Sequence, residues 1–127
     1  MALFEIGQSL GPLAFVLKEV GEGTVTWAYT VDPAHFNPHG ALHGGVVMSL
    51  LDTAMGHAVS EVVVPQGRFN AAAQFNVHFL LPIRSGVIRA KATVVKMGKR
   101  TAVVEARAFD QDDAVLALAT ATHSLLP

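Results

Sequence analysis

Apolar side chains recur at helical spacing in one long segment of the chain. No proline interrupts residues 44–63, and the apolar positions lie one, three or four residues apart, at Val46, Val47, Leu50, Leu51, Ala54, Ala58 and Val59. This spacing predicts an α-helix from about Gly44 to Val63. Because the helix is apolar almost all round, we expect other elements to enclose it.

Alternation of apolar and polar residues predicts strands on both sides of this helix. Before it, we expect a short helical turn within residues 3–10, a strand that begins at Phe15, a turn at 21–23 and a strand over 25–31. After it, strand patterns cover residues 75–81, 87–97, 101–109 and 114–124, and their tight connections make them antiparallel neighbours. The sequence therefore predicts a single α+β domain over residues 1–127, with one long helix on a curved antiparallel sheet of about six strands.

Composition narrows the possible partners. Hydrophobic residues make up 51% of the chain and charged residues 15%, which favours a second copy of the chain as a cover for apolar surface. The net charge of −1 gives no attraction to nucleic acid or to a membrane surface. The absence of cysteine excludes disulfides and thiolate catalysis. Residues 1–10 lack a basic signal region and no apolar run reaches the length of a membrane span, so we expect a cytoplasmic protein.

The start of the predicted helix carries candidate chemistry. His43 precedes Gly44 and Gly45, whose backbone N–H groups a ligand can approach closely because no Cβ stands in the way. Such donors, aided by the helix dipole, can hold an oxygen that becomes negatively charged during a reaction. The sequence therefore indicates a binding site for a carbonyl oxygen at this junction.

One carboxylate, Asp52, lies in the middle of this apolar helix. Its helix face holds small or apolar neighbours (Gly45, Met48, Ser49, Met55 and Gly56), so we expect a poorly solvated carboxylate that acts as a base for water or as a nucleophile. Gly44 and Asp52 are eight residues apart, which separates them by roughly 12 Å along a helix. Either the two features serve different purposes, or they meet across a two-fold axis between two chains.

With these residues in view, the chain resembles the hotdog-fold acyl-CoA thioesterases, most closely the phenylacetate-pathway (PaaI-like) group. The resemblance rests on His43-Gly44-Gly45 followed by Leu50-Leu51-Asp52, on Asn37 six residues before His43, and on Phe79-Leu80-Leu81-Pro82. It implies a sheet wrapped around the helix, a dimer with a continuous sheet, often two dimers per tetramer, and active sites at the dimer interface.

The resemblance also implies a role for each site residue. The Gly44 N–H polarises the thioester carbonyl with Asn37 nearby, His43 orients the site, and Asp52 of the partner chain activates water or attacks the carbonyl. The substrate is an acyl-CoA, and no further cofactor or metal is expected. The nucleotide end of CoA lies near basic side chains, for which Arg84, Lys99 and Arg100 are candidates. The acyl pocket is lined by the Asp52 face of the helix, with Gly45, Met48, Met55 and Phe69 as candidates.

One position departs from the family pattern. Many relatives carry Ser or Thr early in the strand after the helix, where the hydroxyl helps to hold the water, and this position is Ala72 here. Asn70 could hold the water instead only if the strand begins at a different residue from the one expected. Gln74 and Asn76 are other polar candidates for this role.

Several alternative functions stay open at this point. His35, His39 and His43 recur every four residues as in a metal site, but Pro38 and Gly40 argue against one continuous helix. A non-catalytic acyl-CoA-binding module of the same fold is the main alternative, and Ala72 favours it. Hydration or dehydration of an acyl thioester is less well supported, because the hotdog enzymes that catalyse it resemble one another in a different histidine and carboxylate arrangement, which is absent here. A serine hydrolase is not favoured: residues 7–11, Gly-Gln-Ser-Leu-Gly, fit the Gly-x-Ser-x-Gly spacing, but they do not join a predicted strand to a predicted helix.

Overall fold

A computed structural model, which describes residues 3–127, shows a seven-stranded antiparallel sheet curled around one long helix. In chain order the elements are β1 (Ser9–Leu10), β2 (Phe15–Gly21), β3 (Thr24–Thr30), α1 (Gly44–Val63), β4 (Phe69–Phe79), β5 (Val87–Met97), β6 (Thr101–Phe109) and β7 (Val115–Leu126), with short 3-10 turns at Pro33–His35 and Val64–Gln66. The predicted class and architecture are confirmed, with seven strands in place of about six.

The order of strands across the sheet is β1-β2-β3-β5-β6-β7-β4. β5, β6 and β7 form the predicted meander, but β4 does not pair with β5. It pairs along its length with β7 and forms one edge of the sheet. The prediction of four consecutive neighbours is therefore wrong for the first of them, because the chain passes from the edge beside β7 to the place between β3 and β6 after β4 ends.

Element boundaries agree with the sequence pattern where the pattern is long. The bounds of α1, β5 and β6 match the prediction, whereas β4 begins at Phe69, six residues earlier than expected. The helical turn predicted within residues 3–10 is wrong. Gly7 has a φ of +86°, outside the right-handed helical region, and Ser9 pairs with Val16 as part of β1. Met1 and Ala2, which contribute to the signal-peptide argument, lie outside the described residues.

The core is formed where α1 packs against the concave face of the sheet. Leu50 and Leu51 are fully buried, and each contributes about 1.5–3 kcal/mol of transfer free energy. The buried positions of β5, β6 and β7 are mostly alanine, which lets the helix approach these strands closely. They include Ala90, Ala92, Ala102, Ala106, Ala108, Ala117, Ala119 and Ala121.

A buried polar chain ties the helix to the sheet on the β3 side. The indole Nε1–H of Trp27 donates to Nδ1 of His57 at 3.0 Å, and Nε2 of His57 lies 2.7 Å from a carboxylate oxygen of Glu61. Phe4 packs edge-on against both rings. Because both nitrogens of His57 are satisfied, this histidine belongs to the core and not to an open site.

One stripe of α1 faces solvent, so the expectation of a fully enclosed helix is wrong for the single chain. Met48, Ser49 and Asp52 are exposed, and they lie beside the edge strand β4. By length and hydropathy the segment Gly44–Gln66 would pass as a membrane span, although half of its window is buried inside the sheet. We interpret it as the core helix of this fold.

Candidate active site

His43 caps the N-terminus of α1. Its Nδ1 accepts a hydrogen bond from the backbone N–H of Gly45 at 2.8 Å, and the backbone of His43 is extended (φ −61°, ψ 133°). A Cβ on Gly45 would lie 3.0 Å from that ring nitrogen, so the cap depends on glycine there. The N–H of Gly45 is therefore occupied, and the prediction that it is open to a ligand is wrong. Gly44 keeps its N–H free, since no acceptor among residues 3–127 takes it.

Asn37 is fixed in the loop before the helix. Its Oδ1 accepts the backbone N–H groups of His39 (2.9 Å) and Ala41 (3.3 Å). Because both contacts go to the oxygen, the Nδ2 amide is the end of the side chain that remains for a ligand. The same loop is held to β3, where the Tyr29 hydroxyl lies 2.6 Å from Nδ1 of His35.

Gly44 and Asn37 line one cavity of about 350 Å³. The remaining walls are apolar and come from α1, from the end of β4 and from the loop that follows it; they are Ala41, Leu42, Val47, Phe79, Leu80, Leu81, Pro82, Ile83 and Leu116. A Cβ on Gly44 would stand 3.2 Å from the ring of Phe79, so the glycine also keeps this cavity open. We name it the donor cavity, because its two polar groups are N–H donors.

Asp52 lines a different cavity of about 330 Å³, together with Met48, Ser49, Ala72 and Phe75. We name it the acid cavity. Asp52 is exposed in the single chain, so the expectation of a buried carboxylate is wrong here. The hydroxyl of Ser49 donates to the carbonyl of Gly45 at 2.8 Å and is committed to the helix backbone. The acid cavity thus contains a carboxylate and no free hydroxyl.

Not every predicted lining residue lies at these cavities. Met55 is fully buried in the core, because it is turned away from the exposed stripe of α1, and the prediction that it lines the acyl pocket is wrong. Phe69 lies exposed at the start of β4. Arg84 is exposed in the loop beside the donor cavity, whereas Lys99 and Arg100 are exposed in the turn between β5 and β6.

The polar candidates on β4 divide between its two faces. Gln74 and Asn76 alternate with the half-buried Phe75 and Val77, so they point away from the helix. β4 starts at Phe69, so Asn70 lies within the strand, and its side chain points toward the helix. Its Nδ2 donates to the carbonyl of Gly56 at 3.1 Å, and its Oδ1 accepts from the hydroxyl of Ser60 at 2.7 Å.

Asn70 also contacts His123, a residue that the sequence analysis missed. Nδ1 of His123 lies 3.1 Å from the Asn70 amide nitrogen. Burial lowers the pKa of His123 below its ordinary value of 6.5, and the charge of Asp52 offsets part of this shift. A signal was present in the sequence: in β7 the inward positions read Ala121, His123, Leu125, so one polar residue interrupts an apolar face.

The three loop histidines do not converge. His35 ends a 3-10 turn and contacts Tyr29, while His43 caps the helix. Among residues 3–127 there is no group of three His, Cys, Asp or Glu residues placed to hold a metal ion.

The geometry divides the candidate site residues into two groups. The donor cavity can hold a carbonyl oxygen between the Gly44 N–H and the Asn37 amide, and the acid cavity presents a carboxylate. Eight residues of helix, about 12 Å, separate the two groups within one chain.

Comparison with known proteins identifies the family. The family model of the thioesterase superfamily matches residues 39–117. The acyl-coenzyme A thioesterase PaaI of Escherichia coli is 30% identical over 92% of this chain and 81% of its own length. Its solved structure has a TM-score of 0.84 at 28% identity, covering 91% of this chain and 81% of that one.

Two further solved structures are similar. A thioesterase of Haemophilus influenzae has a TM-score of 0.83 at 26% identity, over 90% of this chain and 79% of its own. A Bacillus halodurans protein solved with CoA has a TM-score of 0.75 at 31% identity, over 80% of this chain and 66% of its own. The chain belongs to the thioesterase superfamily and is a thioester hydrolase of the hotdog fold.

Proposed function

We propose that the protein hydrolyses acyl-CoA thioesters at a site shared between two copies of the chain. The observation that carries this proposal is the separation of the donor cavity, with Gly44 and Asn37, from the acid cavity, with Asp52. Two relatives support the substrate class: PaaI is an acyl-CoA thioesterase, and the Bacillus halodurans protein was solved with CoA.

The edge strand β4 offers a way to join the two groups. It is eleven residues long, forms the end of the sheet, and its Phe79 is 53% exposed. An exposed edge of this length is a template for pairing with another strand. Antiparallel pairing of two β4 strands about Asn76 would set Ala72 of one copy beside Leu80 of the other. The acid cavity of each copy would then face the donor cavity of its partner.

In the proposed reaction the thioester oxygen accepts hydrogen bonds from the Gly44 N–H and the Asn37 amide. Asp52 of the second copy takes a proton from water, and the water oxygen attacks the acyl carbon. The tetrahedral intermediate then expels the CoA thiolate, which gains a proton, and the free acid remains. In the alternative route the Asp52 carboxylate attacks first, and water cleaves the resulting anhydride.

Met48 and the apolar walls of the two cavities are proposed to hold the acyl group. Arg84 is exposed beside the donor cavity and is our first candidate for the CoA phosphates, with Lys99 and Arg100 as the others. A homodimer, assembled further into a tetramer, and a cytoplasmic location belong to the same proposal.

The deciding experiment is a panel of short, medium and aromatic acyl-CoAs with a reagent that detects free thiol. We expect turnover by the wild type and a loss of about 10²–10⁴-fold in kcat for Asp52→Asn, since the base is removed. Asp112→Asn, an exposed change in the β6–β7 loop, is the matched control. Wild-type turnover by Asp52→Asn would refute the assigned role. Binding of acyl-CoA without any turnover would favour the non-catalytic binding module. Label found in Asp52 after single-turnover hydrolysis in ¹⁸O-water would establish direct attack, because water activated by Asp52 as a base delivers its oxygen only to the product acid.

A further inference from the structure

His123 presents a buried hydrogen-bond donor that has no acceptor. Its side chain points inward from β7, the residue is 3% exposed, and its Nε2 has no partner among the described residues. A buried polar atom without a partner is costly, and natural proteins keep few of them. An acceptor for this donor would therefore stabilise the ring in its buried position.

Asn70 determines which ring nitrogen carries the proton. The Gly56 carbonyl can only accept, so the Asn70 group that contacts it at 3.1 Å must be the amide N–H₂. The same N–H₂ faces Nδ1 of His123, which must then accept. In the neutral ring the proton consequently lies on Nε2, and the unpartnered atom is a donor.

The Asp52 carboxylate is a hydrogen-bond acceptor near His123 that has no donor in the described part of the chain. Among residues 3–127 the Asp52 carboxylate takes part in no hydrogen bond or ion pair. Cε1 of His123 would lie 3.8 Å from a Cβ on Gly56, which stands one helical turn after Asp52 on the exposed stripe. His123 also pairs in register with Ala72, which lines the acid cavity with Asp52.

Among the described residues around His123, no charged group other than Asp52 competes for this donor. The elements packed against His123 present Asp52, Gly56 and Ser60 from α1, Asn70 and Ala72 from β4, and Ala102 from β6. Asp52 is the one charged side chain of this set. Its effect on the pKa of His123 also indicates that the two groups are near each other.

We propose that His123 is a positioning residue for Asp52, and that its Nε2–H donates to the Asp52 carboxylate when that side chain turns inward from the exposed stripe. The donor then orients the carboxylate toward the water that it activates, which compensates for the absence of a hydroxyl at Ala72. This role rests on the proposed hydrolysis, although the hydrogen bond itself can be tested without it.

The kinetic test uses His123→Leu, which removes the donor, and His123→Gln, whose amide can restore it. We expect kcat to fall about 10- to 100-fold in His123→Leu with KM for the acyl-CoA unchanged, and to recover most of the loss in His123→Gln. The acid limb of the kcat profile should move to higher pH in His123→Leu, because a hydrogen bond to a carboxylate favours its ionised form. His57→Leu, which removes another buried imidazole, is the matched control and should leave kcat and the acid limb unchanged. Equal kcat and equal pH profiles in wild type and His123→Leu would overturn the proposal.

The spectroscopic test does not depend on activity. ¹⁵N shifts of the ring nitrogens in the full-length protein should show Nε2 of His123 protonated and Nδ1 unprotonated, with His123→Gln providing the assignment. Asp52→Asn should shift the Nε2 resonance of His123 and leave that of His57 in place. An unchanged His123 resonance would overturn the proposal. Absence of turnover by the wild type would refute the proposed function alone, because the resonance shift would still decide the His123–Asp52 contact.

Discussion

The ring of His43 and the backbone of Gly45 form a hydrogen-bonded cap at the start of α1, with 2.8 Å between Nδ1 and the amide nitrogen. Since the ring takes the second N–H of the helix, the N–H of Gly44 is the one left for a ligand. A residue expected to orient the active site is thus also a structural part of the helix start.

Replacing His43 should therefore affect folding as well as catalysis. We expect His43→Ala to lower the free energy of unfolding by about 1 kcal/mol, because one N–H of the helix start loses its acceptor. His43→Asn, whose side-chain oxygen can also cap, should keep most of that stability. Urea unfolding measures both, and His39→Ala, an exposed change in the same loop, should match the wild type. Equal stability of His43→Ala and wild type would contradict the capping role.

Asn37→Asp separates the structural role of Asn37 from its proposed catalytic role. Both contacts that hold the loop go to the side-chain oxygen, and aspartate can still make them. The substitution removes the Nδ2 donor and places negative charge where the thioester oxygen becomes negative. We expect kcat to fall about 10²–10³-fold with little change in thermal stability. A kcat within a few-fold of wild type would show that Asn37 serves only the loop.

The lowered pKa of His123 makes stability depend on pH in a defined direction. In the unfolded chain this ring takes up a proton near its ordinary pKa of 6.5, whereas the folded state does so only at lower pH. Stability is therefore highest above pH 6.5 and falls as the pH drops from there toward the folded pKa. We expect the fall in Tm between about pH 7.5 and about pH 5.5 to be smaller in His123→Gln than in wild type. Identical slopes for the two proteins would contradict this assignment.

Local patterns predicted the elements, but they could not predict which strands are neighbours. The bounds of α1 follow from apolar spacing within twenty residues. The place of β4 beside β7 depends instead on contacts between residues about fifty positions apart, such as Ala72 and His123. Alternation in β4 predicts a strand whether it pairs with β5 or with β7. The sequence pattern therefore does not determine which of the two is its neighbour.

The same limit explains the errors at the site. The helix pattern showed that Asp52 interrupts an apolar segment, but only the position of the sheet decides that this stripe stays open while Met55 is buried. Gly44 and Asn37 could be predicted, because a glycine at a helix start and an amide in the preceding loop are local features. His123 lies 71 residues beyond Asp52, so its proposed link to that residue could come only from the folded chain.

Complementation between two inactive variants tests whether the site is shared. In a heterodimer of Asn37→Asp and Asp52→Asn, a shared arrangement puts both substitutions into one site and leaves the other intact. Random reassortment would then restore about a quarter of the wild-type activity, since half of the dimers are mixed and each has one intact site. Refolding the two chains together and measuring kcat per chain reveals the recovery. The control mixes Asp52→Asn with the double variant, which can form no intact shared site. If light scattering gave a monomer, or if mixed dimers seen by mass spectrometry stayed inactive, each site would lie within one chain, and β4 pairing would not be needed for catalysis.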